Sequence, residues 1–341
     1  MRVGIVNDLE LAVQVLRRAL ALSAGYEIAW IARNGQEAVE LCQVDRPDVV
    51  LMDLLMPVMD GVEATRRIMQ ATPCPILIVT SDIGAHVPLV YQAMGHGALD
   101  AVDTPSFAGG DLAKTAAALH QKIAMIVHHS LPRVEHAPIA PARRAADAAP
   151  GAQKAQRLLA VGASAGGPVA LVTLLAGLPA NFSGAVVIVQ HVDAAFAPGM
   201  AEWLGQQQNR IPVRVAKEGD SPLPGVAFFA ATNDHLRLDA ASSTLRYSAA
   251  PPESFYRPSV DAFFTDVADH WRGQAVGVIL TGMGRDGAVG LKAMRERGFH
   301  TIAQDRATSA VYGMPKAAAE LGAAAAILPL TGIARSLLPH F

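Results

Sequence analysis

The stretch that decides the fold of the second half of this chain is Leu158-Leu159-Ala160-Val161-Gly162-Ala163-Ser164-Ala165-Gly166-Gly167-Pro168. Its first residues are apolar and predict a short buried strand, and the glycines that follow predict a tight turn. Because proline is tolerated in a first helical turn, a helix is expected to begin near Pro168. Ser164 then lies at the end of a strand, where backbone N–H groups point outward. Such a place can hold an exposed hydroxyl and stabilise an oxyanion.

Two later stretches have the same strand-then-turn form: Val186-Val187-Ile188-Val189-Gln190-His191 and Val276-Gly277-Val278-Ile279-Leu280-Thr281-Gly282-Met283-Gly284-Arg285-Asp286-Gly287. A serine hydroxyl is a weak nucleophile until a base takes its proton, and histidine suits that task because it titrates near neutrality. A buried carboxylate then fixes the imidazole tautomer. Ser164, His191 and Asp286 therefore form a candidate hydrolase triad. The backbone N–H groups of Ala165 and Met283 are the candidate oxyanion donors.

Each member of this triad also has a purely structural interpretation. Ser164 could be a helix N-cap, His191 a strand-end residue bonded to backbone, and Asp286 the cap of a helix that begins near Gly287. The chain order Ser, His, Asp differs from that of α/β-hydrolases, which argues against that fold and not against a triad.

A nucleotide site is the competing function for the same glycine-rich turn. The pattern Gly162-x-Ser164-x-Gly166-Gly167 is close to a dinucleotide fingerprint, and Asp193 lies near the position of the ribose-binding acid. However, Ser164 replaces the second glycine, and His191 occupies the edge of the strand. The residues alone leave both functions open.

Length and composition limit the class of protein. With 341 residues, 51% hydrophobic and 17% charged, the chain has enough apolar sequence for two domains. A net charge of −2 gives no electrostatic case for a nucleic-acid partner. The two cysteines, Cys42 and Cys74, indicate no disulfide framework and fit a cytoplasmic protein. The sequence shows no signal-peptide pattern and no apolar stretch of roughly 20 residues, so no membrane insertion is expected.

The first half alternates apolar strands with helical patterns, with strands predicted at 2–7, 27–32, 48–53, 75–80 and 98–102. This alternation predicts a parallel sheet with its ligands at the carboxyl ends of the strands. Asp8, Asp53 and Thr80 fall at those ends. Carboxylates gathered there repel one another unless a cation such as Mg²⁺ holds them, and Asp53 could then attack a phosphoryl donor. The alternative is that these acidic residues only end strands and begin turns.

The segment between the halves mixes proline, alanine and charge without periodicity, which predicts a linker. The predicted domains are therefore 1–125 and 157–341, with the linker at 126–156. His128 and His129 have no further ligand at metal spacing and are read as the end of a helix. In the second half, strands are predicted at 185–190, 213–215, 226–230, 276–280, 300–303 and 326–328, a hairpin at 236–238 and 245–247, and helices at 169–177, 198–206, 259–271, 288–296 and 316–321.

A family resemblance covers the first half. The segment Val50-Leu51-Met52-Asp53-Leu54-Leu55-Met56-Pro57-Val58-Met59-Asp60-Gly61 resembles the phosphoacceptor segment of response-regulator receiver domains. The resemblance implies that Asp53 is phosphorylated, that Asp8, Asp53 and the Leu55 carbonyl bind Mg²⁺, and that Thr80 is the switch hydroxyl. Three positions depart from the receiver pattern: Asn7 replaces an acidic residue, Thr104 a lysine, and Ala101 a common aromatic residue.

The second half resembles CheB-type methylesterases over almost all of 157–330. The resemblance is carried by the three candidate triad segments and by three further stretches: Glu218-Gly219-Asp220, Arg257-Pro258-Ser259-Val260-Asp261, and Gln304-Asp305-Arg306-Ala307-Thr308-Ser309-Ala310-Val311-Tyr312-Gly313-Met314-Pro315. Ala165 stands where the family often has threonine. The fold implied is α/β: a flavodoxin-like (βα)5 receiver, a linker, and a doubly wound, mostly parallel α/β methylesterase domain.

The resemblance also implies a function. Such proteins hydrolyse glutamate γ-methyl esters, and deamidate glutamines, on the cytoplasmic helices of chemoreceptors, and a CheA-type histidine kinase phosphorylates their receiver. The esterase itself is expected to need no cofactor. The segments Val6-Asn7-Asp8 and Leu99-Asp100-Ala101-Val102-Asp103-Thr104-Pro105 more closely resemble the Wsp surface-sensing branch, which controls a diguanylate cyclase. A scaffold protein with an inactive hydrolase fold is the alternative of a different class.

Overall fold

The computed structural model describes residues 1–81, 86–106, 112–129, 155–192, 194, 196–207, 210–250 and 256–341. The chain divides into two compact units, Met1–Pro132 and Arg133–Phe341. Most of the predicted linker and Asp193 lie outside the described residues, so the domain boundaries at 125 and 157 stay predictions. The helix that precedes the linker extends to His129, and the side chains of His128 and His129 are not described.

The first unit alternates strands with helices. Its elements are β1 (Arg2–Val6), α1 (Glu10–Ala21), β2 (Glu27–Ala32), α2 (Gly35–Val44), β3 (Val49–Met52), α3 (Gly61–Ala71), β4 (Ile76–Thr80), α4 (Val87–Gly95), β5 (Asp100–Asp103) and α5 (Leu112–His129). Neighbouring strands are parallel in the order β2-β1-β3-β4-β5, which confirms the predicted flavodoxin-like sheet. Leu16 of α1 and Ile123 of α5 pack with Ile5 and Leu51 in a fully buried core on one face of this sheet.

The second unit is also an α/β structure. Its elements are β6 (Arg157–Ala163), α6 (Gly167–Ala176), β7 (Ala185–Gln190), α7 (Ala197–Gln206), β8 (Val213–Val215), β9 (Ala227–Phe229), β10 (His235–Leu238), β11 (Leu245–Ser248), α8 (Val260–His270), β12 (Gln274–Ile279), α9 (Ala288–Glu296), β13 (His300–Gln304), α10 (Met314–Glu320), β14 (Ala326–Leu328) and α11 (Leu330–Leu337). A 3-10 turn follows at Leu338–His340. The main sheet has the order β14-β13-β12-β6-β7-β9-β8, and each of its strand pairs is parallel.

The predicted hairpin is confirmed as the antiparallel pair β10–β11. Helix α11 was not predicted from the sequence. Its first turn follows Pro329 without a side-chain cap and contains Gly332, which weakens the local helix signal. The helix is held instead by packing, because Ile333 and Leu337 are fully buried.

Strand β6 lies at the centre of the main sheet and positions the candidate site. Helices cover both faces of a parallel sheet, so its central strands are apolar on both sides, and Leu158 and Val161 are indeed fully buried. Gly162 of β6 lies opposite Val189 of β7 and Ile279 of β12. The carboxyl ends of these three strands therefore meet at one level. Among the described residues, no helix has both the length and the apolar character required to cross a membrane.

Candidate active site and phosphoacceptor site

Ser164 lies directly beyond β6, in a turn that backbone hydrogen bonds join to the two neighbouring strand ends. The N–H of Ser164 donates to the carbonyl of Thr281 at 3.1 Å, and the N–H of His191 donates to the carbonyl of Ala163 at 3.0 Å. The N-cap of α6 is Gly166, with a φ of 74°, so the N-cap interpretation of Ser164 is wrong. Ser164 is therefore held at the carboxyl ends of the central strands and does not cap the helix.

Side chains from both neighbouring strand ends fix the turn that carries Ser164. Gln190 Nε2 donates to the Ser164 carbonyl at 2.8 Å, and Thr281 Oγ1 donates to the Ala165 carbonyl at 3.0 Å. A Cβ on Gly282 would lie 2.8 Å from the Ser164 Cβ and 2.3 Å from Met314 Sδ. The Gly282–Gly284 loop can therefore approach the serine this closely only with glycine at 282.

His191 and Asp286 contact each other directly. His191 Nε2 lies 2.8 Å from Asp286 Oδ2, and the side chains are 13% and 3% exposed, respectively. Because Nε2 faces the carboxylate, Nδ1 is the ring nitrogen left for the serine. Ser164 Oγ makes no hydrogen bond with any residue of the described ranges, although its strand end adjoins that of His191. Catalytic hydrogen bonds are often long in structures without substrate and tighten when it binds.

Asp286 accepts hydrogen bonds from the first turn of α8 and not from α9, whose N-cap is Gly287 with no side-chain cap. Its oxygens accept from Ser259 Oγ at 2.9 Å and from the N–H groups of Val260 at 2.6 Å and Asp261 at 3.0 Å. Burial acts to raise the pKa of Asp286, but the hydrogen bond to His191 and these backbone donors outweigh it and hold the pKa below its usual value. The carboxylate thus stays charged behind the imidazole.

A second carboxyl group, that of Asp261, lies behind this pair. Its Oδ1 accepts the N–H of Gly290 at 2.7 Å. Burial raises the pKa of Asp261 to about 6, and the negative charge of Asp286 adds to the effect. The folded protein therefore holds this proton at pH values where an unfolded chain has released it.

The Asp261→Asn variant should be more stable than the wild type above pH 6. A raised carboxyl pKa contributes stability below pH 4, which is lost as the pH rises to about 6. Asparagine keeps an acceptor for Gly290 and carries no charge, so the free energy of unfolding should rise by about 1–2 kcal/mol at pH 7.5. At pH 4 the two proteins should be nearly equal. Urea unfolding at both pH values measures this.

Asp269→Asn is the matched control for this prediction. Asp269 is 50% exposed and pairs with Arg297 at 3.3 Å, and such surface pairs contribute at most about 1 kcal/mol. If Asp261→Asn were less stable than the wild type at pH 7.5, the folded protein would not hold a buried proton on Asp261.

The candidate oxyanion donors lie on the two loops beside Ser164. Neither the N–H of Ala165 nor that of Met283 has an acceptor in the part of the chain that the structure describes. The next residue, Gly284, has a φ of 81°, a conformation that favours glycine. Their role as donors to an oxyanion stays a prediction.

Tyr256 also contacts this centre, although nothing in the sequence predicts a role for it. Its ring stacks on His191, with ring centroids 4.7 Å apart and an interplanar angle of 8°. In the sequence, Ser259 and Asp261 belong to a predicted helix and to a stretch that resembles the methylesterase family, and neither predicts a catalytic role for them. Ser259 before an apolar helix carries a cap signal, and it does accept the N–H of Ala262. No sequence signal joined it to Asp286.

The first unit places Asp53 and Asn7 side by side at the ends of β3 and β1. Asn7 Nδ2 donates to Asp53 Oδ2 at 2.9 Å, and the N–H of Leu54 donates to Asp53 Oδ1 at 2.7 Å. Burial raises the pKa of Asp53, and the negative charge of Asp8 adds to it. Thr80 ends β4 and is 2% exposed. Asn7 thus donates a hydrogen bond to Asp53, whereas the acidic residue that receivers usually have at this position would repel it.

Glycine and a capped helix shape the loop that follows Asp53. A Cβ on Gly61 would lie 1.9 Å from the backbone oxygen of Asp53, so only glycine allows this approach. Asp60 caps α3 by accepting the N–H of Glu63 at 2.8 Å. These features place the loop that contains Leu55 beside the phosphoacceptor candidate.

The donor set of this edge suits Mg²⁺. Asp8 and Asp53 supply carboxylates, and their like charges disfavour each other, so a divalent cation would relieve the repulsion. Asn7 Oδ1 is taken by the N–H of Leu9 at 2.9 Å. The set therefore fits the cation with one carboxylate fewer than the receiver pattern has.

Two family models match this chain, one in each half. The model of the CheB methylesterase family matches residues 159–337, which include Ser164, His191 and Asp286. The chain belongs to the CheB methylesterase family. The model of the response regulator receiver domain matches residues 3–115, so the first half is a receiver domain, as predicted.

Several relatives in this family match over nearly their full length. Protein-glutamate methylesterase/protein-glutamine glutaminase 1 of Cupriavidus pinatubonensis is 58% identical over 338 residues, which cover 99% of this chain and 97% of that protein. Protein-glutamate methylesterase/protein-glutamine glutaminase 3 of Pseudomonas aeruginosa is 56% identical over 346 residues and covers 100% of both chains. The crystal structure of the Thermotoga maritima CheB methylesterase catalytic domain superposes with a TM-score of 0.50 at 33% identity, covering 53% of this chain and 97% of that one.

Proposed function

We propose that this member of the CheB family hydrolyses glutamate γ-methyl esters on chemoreceptors with Ser164, His191 and Asp286. The observation that supports the proposal most is the 2.8 Å contact between His191 and the buried Asp286, at the carboxyl ends of the strands, where Ser164 directly follows β6. This arrangement provides a nucleophile, a base and a group that orients the base.

The geometry supports a two-step acyl transfer. Ser164 Oγ attacks the γ-carbonyl carbon as His191 takes its proton, and the N–H groups of Ala165 and Met283 stabilise the resulting oxyanion. His191 then returns the proton to the methoxy oxygen, and methanol leaves. Water, deprotonated by His191, hydrolyses the acyl-enzyme to glutamate and restores the serine. With a glutamine substrate the same steps release ammonia, so the site would also deamidate receptor glutamines.

The structural findings disfavour a dinucleotide site at the same turn. Gly166 caps a helix, as in such sites, but His191 follows β7, and Asp286, in the loop after β12, forms a hydrogen-bonded pair with it. A spectral titration with NADH should show no binding. Methanol release by the full chain from methylated receptor membranes tests the esterase directly, and an inactive scaffold would release none.

We also propose that the receiver controls the esterase through phosphorylation of Asp53 by a CheA-type histidine kinase. Asp8, Asp53 and the Leu55 carbonyl would hold Mg²⁺, which neutralises the charge that develops during phosphoryl transfer. Thr80 would bond to the phosphoryl group. Methanol release by the wild type, and not by Asp53→Asn, should rise when a phosphoryl donor is added. Equal rates with and without the donor would contradict this control.

Lys122 of α5 does not replace the lysine that is missing at position 104. Lys122 donates to Asp100 Oδ1 and to the Ala101 carbonyl, each at 2.7 Å. Asp100 begins β5, whereas Thr104 follows its other end. A neutral threonine at position 104 cannot pair with the phosphoryl group as the usual lysine does, so we expect weaker coupling between phosphorylation and output.

The Asn7→Asp variant should bind Mg²⁺ roughly tenfold more tightly, because it adds a carboxylate beside Asp53 and removes the competing amide hydrogen bond. Calorimetric titration with MgCl₂ measures the dissociation constant. Asn34→Asp is the control: it also replaces an amide that donates to a carboxylate, here Glu37 Oε1 at 2.9 Å, and aspartate keeps the N-cap bond from the N–H of Glu37. An unchanged Mg²⁺ affinity in Asn7→Asp would mean that Asn7 lies outside the metal site.

The expected setting is the cytoplasm, where the enzyme meets the cytoplasmic helices of a methylated receptor without inserting into the membrane. Nucleic acid is not an expected partner, given a net charge of −2. The residues around Asn7 and Thr104 favour a pathway of the Wsp type, in which receptor adaptation controls a diguanylate cyclase. Loss of surface-dependent signalling in a deletion strain, with swimming chemotaxis intact, would support that pathway, and the reverse would exclude it.

A further inference from the structure

Tyr256 covers one face of the imidazole of His191. The two rings are nearly parallel, at 8°, with centroids 4.7 Å apart. This arrangement restricts rotation of the imidazole about its bond to Cβ, because any other ring plane would collide with the tyrosine. The hydrogen bond from Nε2 to Asp286 restricts the same rotation from the edge of the ring.

The hydroxyl end of Tyr256 reaches the loop that carries Met283. A Cβ on Gly284 would lie 2.0 Å from Tyr256 Oη and 3.0 Å from Cζ. Gly284 has a φ of 81°, a conformation that favours glycine, and a side chain there would displace the Tyr256 hydroxyl. One side chain therefore contacts the proposed base and the loop of a proposed oxyanion donor.

Tyr256 is uncharged beside His191, as a contact with an imidazolium requires. Burial raises the pKa of Tyr256, and the negative charge of Asp286 raises it further, so the ring stays a neutral phenol. The face of a neutral phenol attracts a cation. When His191 takes the serine proton it becomes a cation directly against this face, so the contact is stronger in the transition state than before the reaction.

We propose that Tyr256 is a positioning residue of the esterase, whose ring holds the plane of the His191 imidazole and stabilises the imidazolium. The inference rests on the proposed role of His191 as the base. The aromatic ring of Tyr256, and not its hydroxyl, orients and stabilises the imidazole. The ring keeps Nε2 on Asp286 and thereby keeps Nδ1 available to Ser164.

The test compares Tyr256→Phe with Tyr256→Leu in the full chain. Tyr256→Leu should lower kcat for methanol release roughly tenfold with KM within about twofold of the wild type, because the ring acts in the transition state. Tyr256→Phe keeps the ring and should stay within about twofold in both. Tyr26→Leu is the matched control, since Tyr26 stacks on His120 at 5.4 Å in the first unit. Its kcat should not change.

A second measurement does not depend on esterase activity. In ¹⁵N NMR of the histidine side chains, assigned to His191 with a His191→Gln sample, the wild type and Tyr256→Phe should show one tautomer protonated at Nε2. Tyr256→Leu should show exchange between tautomers. If the wild type released no methanol, the proposed function would fail, and this spectrum would still decide whether Tyr256 orients the imidazole.

Three results would overturn the proposal: wild-type kcat in Tyr256→Leu, an equal loss in Tyr256→Phe, or a loss confined to KM. An equal loss in Tyr256→Phe would assign the effect to the hydroxyl. A loss confined to KM would make Tyr256 a residue that contacts the substrate. If Tyr256→Leu unfolds, Tyr256→Met, which fills a similar volume without a ring, takes its place with the same expected values.

Discussion

The Ser164→Ala variant should lose methyl-ester hydrolysis by about 10⁴-fold or more in kcat, while its fold and thermal stability stay unchanged. Alanine removes the nucleophile but keeps the Cβ that packs beside Gly282. Ser164 Oγ has no hydrogen-bond partner among the residues described, so its removal leaves no group unpaired. The measurements are kcat for a methylated receptor substrate and the melting temperature from circular dichroism.

Ser183→Ala is the control for this change. Ser183 Oγ lies within hydrogen-bond distance of Arg157 Nη1, at 3.3 Å, near the amino-terminal end of the sheet and far from the candidate site. Its kcat should equal that of the wild type. If Ser164→Ala kept more than a few per cent of the wild-type kcat, Ser164 would not be the nucleophile.

The Asp286→Asn variant should lose about 10⁴-fold in kcat and should also unfold more easily. Its amide places an NH₂ group among donors, because Asp286 accepts from Ser259 Oγ and from the N–H groups of Val260 and Asp261. Removing the charge leaves the first turn of α8 without its anion, and one amide oxygen remains for the four donors that now face Asp286. We expect the free energy of unfolding to fall by about 2–4 kcal/mol.

A second buried aspartate, Asp266, separates the expected loss of kcat from the expected loss of stability. Asp266 is 3% exposed, makes a bidentate pair with Arg237 at 2.6 Å and accepts the N–H of Leu238 at 3.0 Å. Asp266→Asn should therefore lose comparable stability and keep its kcat, as long as both are assayed well below their melting temperatures. If Asp286→Asn kept a wild-type kcat, or if Asp266→Asn lost as much kcat as Asp286→Asn, the proposed role of Asp286 would be wrong.

The sequence predicted the fold because parallel strands that are buried on both faces appear as continuous apolar runs. The stretches that end at Gln190 and Ile279 show this directly. The carboxyl ends of such strands meet at one edge of the sheet, so His191 and Asp286 could be expected to converge before any contact was known.

The contacts that refine the site could not be predicted in the same way. The bonds from the first turn of α8 to Asp286, and the stacking of Tyr256 on His191, join segments that no periodicity relates. These contacts depend on where the segment between β11 and α8 meets the site, which the sequence does not indicate. The sequence likewise showed that Asn7 replaces a carboxylate, but not that its amide donates to Asp53.

Methanol release from receptor membranes whose glutamates carry labelled methyl groups tests the central claim most directly. We predict that the wild-type chain converts the label to volatile methanol, and that with Ser164→Ala the label stays on the receptor. Release of the label at equal rates by both proteins would contradict the assignment of the esterase to this serine.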